Sequence, residues 1–184
     1  MYMWWRKKKK TLPLLVLIQG SLQPRGLSDC IFEEALRLLA DQQVAVVTID
    51  VRNRNIDFYH SGPLEKGSKE TREMFEVLKL ARGYLIAMPV YSAKTAGAIK
   101  DFLVFGAPAM RGKVASLVCV GKNDVLYPAT RDVLGILHDG LNISVMTPVV
   151  RASPESFHDG RIFDEQVSAL LSESIAALIK KIAQ

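Results

Sequence analysis

Five short apolar runs, Leu14–Gln19, Val44–Ile49, Tyr84–Met88, Val114–Val120 and Asn142–Val150, alternate along the chain with five stretches of helical periodicity. Near-continuous apolar runs of this length are the pattern of strands buried on both faces. Ile31, Ala35, Leu38 and Leu39 recur at helical spacing, as do Met74, Val77, Leu78 and Ala81, then Ile99, Phe102 and Leu103. The last helix, about Phe163 to Ala183, carries Val167, Leu171, Leu178 and Ile182. Alternation of this kind implies a parallel sheet covered by helices on both faces.

Local punctuation sharpens the boundaries. Ser28 and Ser68 are placed to cap the first two helices, and Gly83 to close the second. Pro89 is expected to stop the third strand, Pro128 to open the fourth helix, and Gly140 to follow its end. With five strands the expected architecture is an α/β, flavodoxin-like three-layer sandwich with sheet order 2-1-3-4-5. Its carboxyl edge then gathers the loops 20–27, 50–67, 89–95, 121–127 and 151–160.

At 184 residues the chain fits one domain, expected over 11–184 behind a basic tail at 1–10. The formal charge of +5 falls to about zero once Arg6 to Lys10 are set aside, so the domain gives no support to a nucleic-acid partner. The apolar part after that run is short, contains Pro13 and lacks a small-residue cleavage site, unlike a secretory signal. No stretch approaches the ~20 apolar residues of a transmembrane helix, so no integral membrane segment is expected. Cys30 and Cys119 are too few for a disulfide framework, which points to a reduced, cytoplasmic setting.

Three loops on the expected edge differ from neutral connectors. GSLQPRGLSD offers hydroxyls at Ser21 and Ser28, an amide at Gln23 and a guanidinium at Arg25 ahead of a helix, donors that suit a phosphate. It matches neither the P-loop nor the G-x-G-x-x-G fingerprint. Pro89, Val90, Tyr91 and Ser92 offer backbone groups and a flat aromatic face for a planar heterocycle. Gly121, Lys122 and Asn123 form a polar break where glycine permits close backbone approach. Together these fit a mononucleotide with an extended ring, and FMN better than ATP, since nothing resembles a Mg²⁺ site joined to a phosphate loop. His60, His138 and His158 are scattered without ligand spacing, and Ser153 and Ser156 lack a G-x-S-x-G elbow. No metal site is expected.

GSLQPRGLSD, the segment ARGYLIAMPVYSAKTAGAIKDFL and the break after the fourth strand resemble the NAD(P)H-dependent FMN reductase family, which includes quinone, azo and chromate reductases. The likeness covers about residues 12 to 150. Ser21 matches the family's first phosphate serine, Pro89 and Tyr91 its P-x-Y, and Gly97 and Lys100 its G-x-L-K. The family's arginine falls on Gln23 or on Arg25, and its second serine on Ser28. Ser92 stands where the family has Asn, and Lys122, Asn123 and Asp124 replace its Gly-Gly.

The resemblance implies noncovalent FMN, hydride from NADPH or NADH, and a quinone, free flavin or similar small electron acceptor. It also implies a homodimer or homotetramer, for which the 50–67 loop with Phe58 and Tyr59 is a partner-facing element or lid. Lys122 is a candidate modulator of the flavin, with no catalytic side chain required. The alternative is a flavodoxin-like binding or regulatory module with weak or no flavin turnover.

Overall fold

The apolar runs form a parallel sheet whose strands alternate their side chains between two separate cores. The computed structural model describes residues 12–52, 67–91 and 94–184. The expected tail at 1–10, most of the 50–67 loop with Phe58, Tyr59 and His60, and Ser92 lie outside the described residues.

Strand β1 (Leu14–Gln19) pairs in parallel with β2 (Ala45–Asp50) on one side and β3 (Gly83–Tyr91) on the other. On its far side β3 pairs in parallel with β5 (Val114–Val120), and at its end antiparallel with the two-residue β4 (Lys94–Thr95). The fifth position is filled in two pieces, β6 (Ser144–Val145) and β7 (Val150–Ala152), both parallel to β5. The sheet order β2-β1-β3-β5-β6 is thus the flavodoxin-like 2-1-3-4-5 arrangement. The single strand expected over 142–150 is divided because its register on β5 slips by two residues between the pieces. Pro148 stands in the gap, where it has no N–H to give a ladder.

One core joins Val16, Ile18, Tyr84, Ile86, Met88, Leu117 and Cys119 to helices α2 (Lys69–Leu80), α3 (Gly97–Met110) and α4 (Asn123–Gly135). The other joins Leu15, Leu17, Leu85, Ala87, Val118 and Val120 to α1 (Leu27–Leu39) and α5 (Glu165–Ile182). Odd and even positions of one strand therefore serve opposite layers, which is why the runs read as continuously apolar. Burial of this kind, at about 25 cal/mol per Å² of apolar surface, is the main force holding the three layers together.

Tyr84 is fully buried, yet its hydroxyl donates to Leu78 O at 2.8 Å, and burial raises its pKa. Lys113 donates to the carbonyls of Leu78 and Lys79, both at 2.8 Å, satisfying the end of α2. Burial lowers the pKa of that ammonium. Ser68 caps α2 as expected, accepting from Thr71 N at 3.1 Å, and Asp164 caps α5.

Several boundaries differ from expectation. Gly83 begins β3 instead of closing α2, whose cap is Ala81. Pro89 does not stop β3, which runs on to Tyr91. Ala87 O points towards β1, where it accepts from Gly20 N at 2.8 Å, and groups two residues on point the same way. The missing N–H of Pro89 therefore falls beyond the end of β1, where no ladder partner waits. Helix α4 starts at Asn123, not Pro128, which lies inside it, and a five-residue π-helical segment carries the chain on to Gly140.

Gly83 matters for a packing reason. A Cβ there would stand 2.7 Å from Ile182 Cγ2 and 3.2 Å from Leu178 Cδ1, so its absence lets the end of α5 close onto the sheet. Gly83→Val is expected to destabilise the fold by about 1–3 kcal/mol, read from the midpoint of urea denaturation at unchanged slope.

Candidate active-site cleft

At the carboxyl edge the β1–α1 loop is folded by its own polar groups. Ser21 is buried, and its hydroxyl accepts from Gln23 N at 3.2 Å and donates to Gln23 O at 3.3 Å. Its N–H donates to Gln19 Oε1 at 3.3 Å. The helix that follows is capped at Gly26 and not at Ser28, because Asp29 turns back to accept from Gly26 N at 3.0 Å. This leaves Ser28 inside the first turn, where it is buried and its hydroxyl has no hydrogen-bond partner among the described residues. The N–H groups of Leu27 and Ser28, at the same turn, have no intrahelical acceptor.

Two further segments close the cleft. Pro89, Val90 and Tyr91 line it from the end of β3, with Tyr91 half-exposed. Gly121 and Lys122 line it from the β5–α4 connection, and because α4 begins at Asn123, Val125 of its first turn reaches the wall as well. The close approach that Gly121 permits is to Val90: a Cβ would lie 2.9 Å from Val90 Cβ and 3.1 Å from Val90 O. Lys122 is exposed. Nearby Glu155 has its carboxyl held low first by the Ser153 hydroxyl and its own backbone N–H, and to a lesser extent by the Lys122 charge.

The cleft encloses about 420 Å³, within the range of small-ligand sites. It brings together Ser21, Gln23, Ser28, Pro89, Val90, Tyr91, Gly121 and Lys122. Arg25 and Asn123 do not line it: Arg25 is exposed, on a residue with φ of +56°. Gly26, Leu27, Val120, Val125 and Pro154 line it without having been singled out in the sequence. Pro154 comes from the 151–160 loop, whose place after the fifth strand was the available signal.

Beside the loop, the Arg52 guanidinium is held between two carboxylates. Its Nη1 and Nη2 donate to Asp29 at 3.2 and 3.0 Å, while Nε and Nη2 donate to Asp50 at 2.8 and 2.6 Å. Burial pushes Asp50 up, but hydrogen bonds from the Arg52 side chain and backbone, with its charge, outweigh that and leave the carboxyl low. The Asp50 hydrogen bonds, opposed by burial and joined by Asp29, raise Arg52 further. Neither cysteine is poised as a thiolate. Burial pushes Cys119 up to about 11, and burial followed by the Glu33 charge raises Cys30.

A doubly wound parallel sheet with three of its edge segments converging on an apolar cleft, beside an open helix N-terminus, defines a flavodoxin-like α/β protein with a mononucleotide-type crevice. The chain belongs to the NADPH-dependent FMN reductase family, whose model matches residues 13–156. Its fold resembles an NADH:FMN oxidoreductase in the apo form, at 20% identity over 91% of this chain and 89% of that one, with a TM-score of 0.73. It also resembles an oxidoreductase from Corynebacterium diphtheriae, at 17% identity over 95% and 98% of the two chains, with a TM-score of 0.77. A third likeness is to a flavoenzyme NAD(P)H:acceptor oxidoreductase from Paracoccus denitrificans, at 15% identity over 94% and 98%, with a TM-score of 0.65. At these identities the likeness is one of fold. No curated protein matches the chain. Among the described residues, no helix is long and apolar enough to cross a membrane.

The Gly121–Val90 contact predicts that Gly121→Ala lowers stability by about 2 kcal/mol, since a backbone oxygen cannot step aside as a side chain can. Gly97→Ala is the control, because nothing lies within 4 Å of a Cβ there. Thermal melts of the two variants should separate clearly.

Proposed function

We propose that the cleft binds FMN noncovalently and that the protein takes hydride from NADPH or NADH to reduce a quinone, a free flavin or another small acceptor. The observation that carries this reading is Ser28. Its hydroxyl has no partner among the described residues and lines the cleft in a helix turn with two open N–H groups, a set of donors that suits an anion. Family membership supplies the flavin, and the cleft volume suits one.

Ser21, Gln23, Ser28 and the N–H groups of Leu27 and Ser28 would hold the phosphate. Pro89, Val90 and Tyr91 would bound the ring, with Gly121 and Lys122 on the opposite connection. Ser92, Arg25 and Asn123 remain part of the proposal as flanking residues. The bound flavin supplies two-electron chemistry between a nicotinamide and a flat acceptor. The protein's part is to fix the phosphate, shield the ring between apolar walls of Val90, Val120 and Val125, and present positive charge from Lys122. That charge favours the anionic, reduced form of the cofactor.

On this reading residues 11–184 act as one domain in a reducing cytoplasm, where the free thiols of Cys30 and Cys119 persist. It acts as a homodimer or homotetramer, for which exposed Val104 on α3 and Tyr127 on α4 offer apolar contact. The purified protein should be yellow and bleach when NADPH is added under nitrogen. A colourless protein that takes up no added FMN refutes the proposal, and one that binds FMN but is reduced by neither pyridine nucleotide is a flavin-binding module instead. Ser28→Ala should weaken FMN by roughly tenfold, the cost of one charge-assisted hydrogen bond. Lys122→Ala should lower the bound flavin's reduction potential and slow its reduction by NADPH; unchanged values of both refute its role.

A further inference from the structure

A carboxylate in the first turn of α1 is an awkward neighbour for a phosphate, and Asp29 is such a carboxylate. The loop's own cation, Arg25, is exposed and does not line the cleft, so it does not offset that charge. We propose that Arg52 is the positioning residue that lets this loop take a phosphate, cancelling the charge of Asp29 and, through it, fixing both ends of the loop. The inference rests on the reading of the cleft as an FMN site.

The hydrogen bonds show how one guanidinium reaches the whole loop. Asp29 Oδ1 accepts from Gln19 Nε2 at 2.8 Å and Arg52 Nη2 at 3.0 Å. Asp29 Oδ2 accepts from Gly26 N at 3.0 Å and Arg52 Nη1 at 3.2 Å. Gln19 passes the restraint on, since its Oε1 accepts from Ser21 N. One carboxylate therefore ties the loop's entrance at Ser21 to its exit at Gly26, both of which line the cleft.

Arg52 cannot be the phosphate ligand itself, because its donors are directed at Asp29 and Asp50. Its effect is on charge and geometry. Formally, Asp29, Asp50 and Arg52 sum to one negative charge, and without the arginine they sum to two. In a partly screened medium, one added charge beside the loop changes the affinity for a dianion by about tenfold. Lysine keeps the charge but lacks the planar fork that engages both Asp29 oxygens.

The test compares FMN with riboflavin, which has the same ring and no phosphate. Both are titrated into the apo-protein by quenching of flavin fluorescence, so no turnover is needed. The wild type should prefer FMN. Arg52→Met should weaken FMN about tenfold while leaving riboflavin within about twofold, and Arg52→Lys should fall between. Adding Asp50→Asn to Arg52→Met should restore part of the preference, since it returns the cluster to one negative charge and leaves both Asp29 oxygens on Gln19 and Gly26. Equal weakening of both flavins, or no restoration by Asp50→Asn, overturns the role of Arg52 while leaving the FMN site standing. A wild type that does not discriminate the two flavins overturns the phosphate seat and this role with it. If Arg52→Met fails to fold, Arg52→Lys alone carries the test: the preference for FMN over riboflavin should fall, and an unchanged ratio overturns the proposal.

Discussion

Strand β3 is bonded along both edges and packed on both faces, and each part of the cleft is located by reference to it. The β1–α1 loop is fastened to it where Gly20 N meets Ala87 O, a contact so close that a Cβ at Gly20 would stand 3.0 Å from that oxygen. The β5–α4 connection rests on it where Gly121 meets Val90. Its own end, with β4 folded back on Val90 and Tyr91, supplies the third wall. Because the backbone of a strand so placed cannot move without breaking ladder bonds on either side, three loops of different sequence are held at fixed mutual distances.

On this rigid base the chemistry is built from small polar devices. Gly26, with Asp29 turned back onto its N–H, replaces the expected serine at the cap of α1, and that exchange has two results: it releases the Ser28 hydroxyl from capping duty, and it introduces a negative charge that must be compensated. The Arg52 fork answers the second. Arg52 lies just beyond the end of β2, so the element on the edge of the sheet contributes to the loop after β1 without lining the cleft itself.

The fold was legible because its strands are buried on both faces, and a continuous apolar run has little other use in a soluble α/β chain. The carboxyl-edge loops followed from that order. Boundaries set by single residues were less so. Pro89 reads as a stop, but the strand beside it has already ended, and that is a tertiary fact. Gly121, Lys122 and Asn123 read as a polar break, whereas Asn123 opens a helix, which brought Val125 to the cleft and left Asn123 off its lining. Gln23 and Arg25 offer the same loop two candidate ligands, and the folded course of that loop, invisible in a residue name, places one at the wall and the other outside. The Arg52–Asp29 pair joins residues far apart in the chain and had no sequence signature at all.

The division of the fifth strand has a meaning for the molecule outside its reaction. A parallel sheet ends in two open borders, each a template on which a foreign strand could be laid down. On this border β6 and β7 offer runs of two and three residues, out of step with each other and separated by a proline. An approaching chain that matched one piece would miss the other. The interruption is thus a form of self-protection, guarding a hydrophobic sheet against being extended into aggregates.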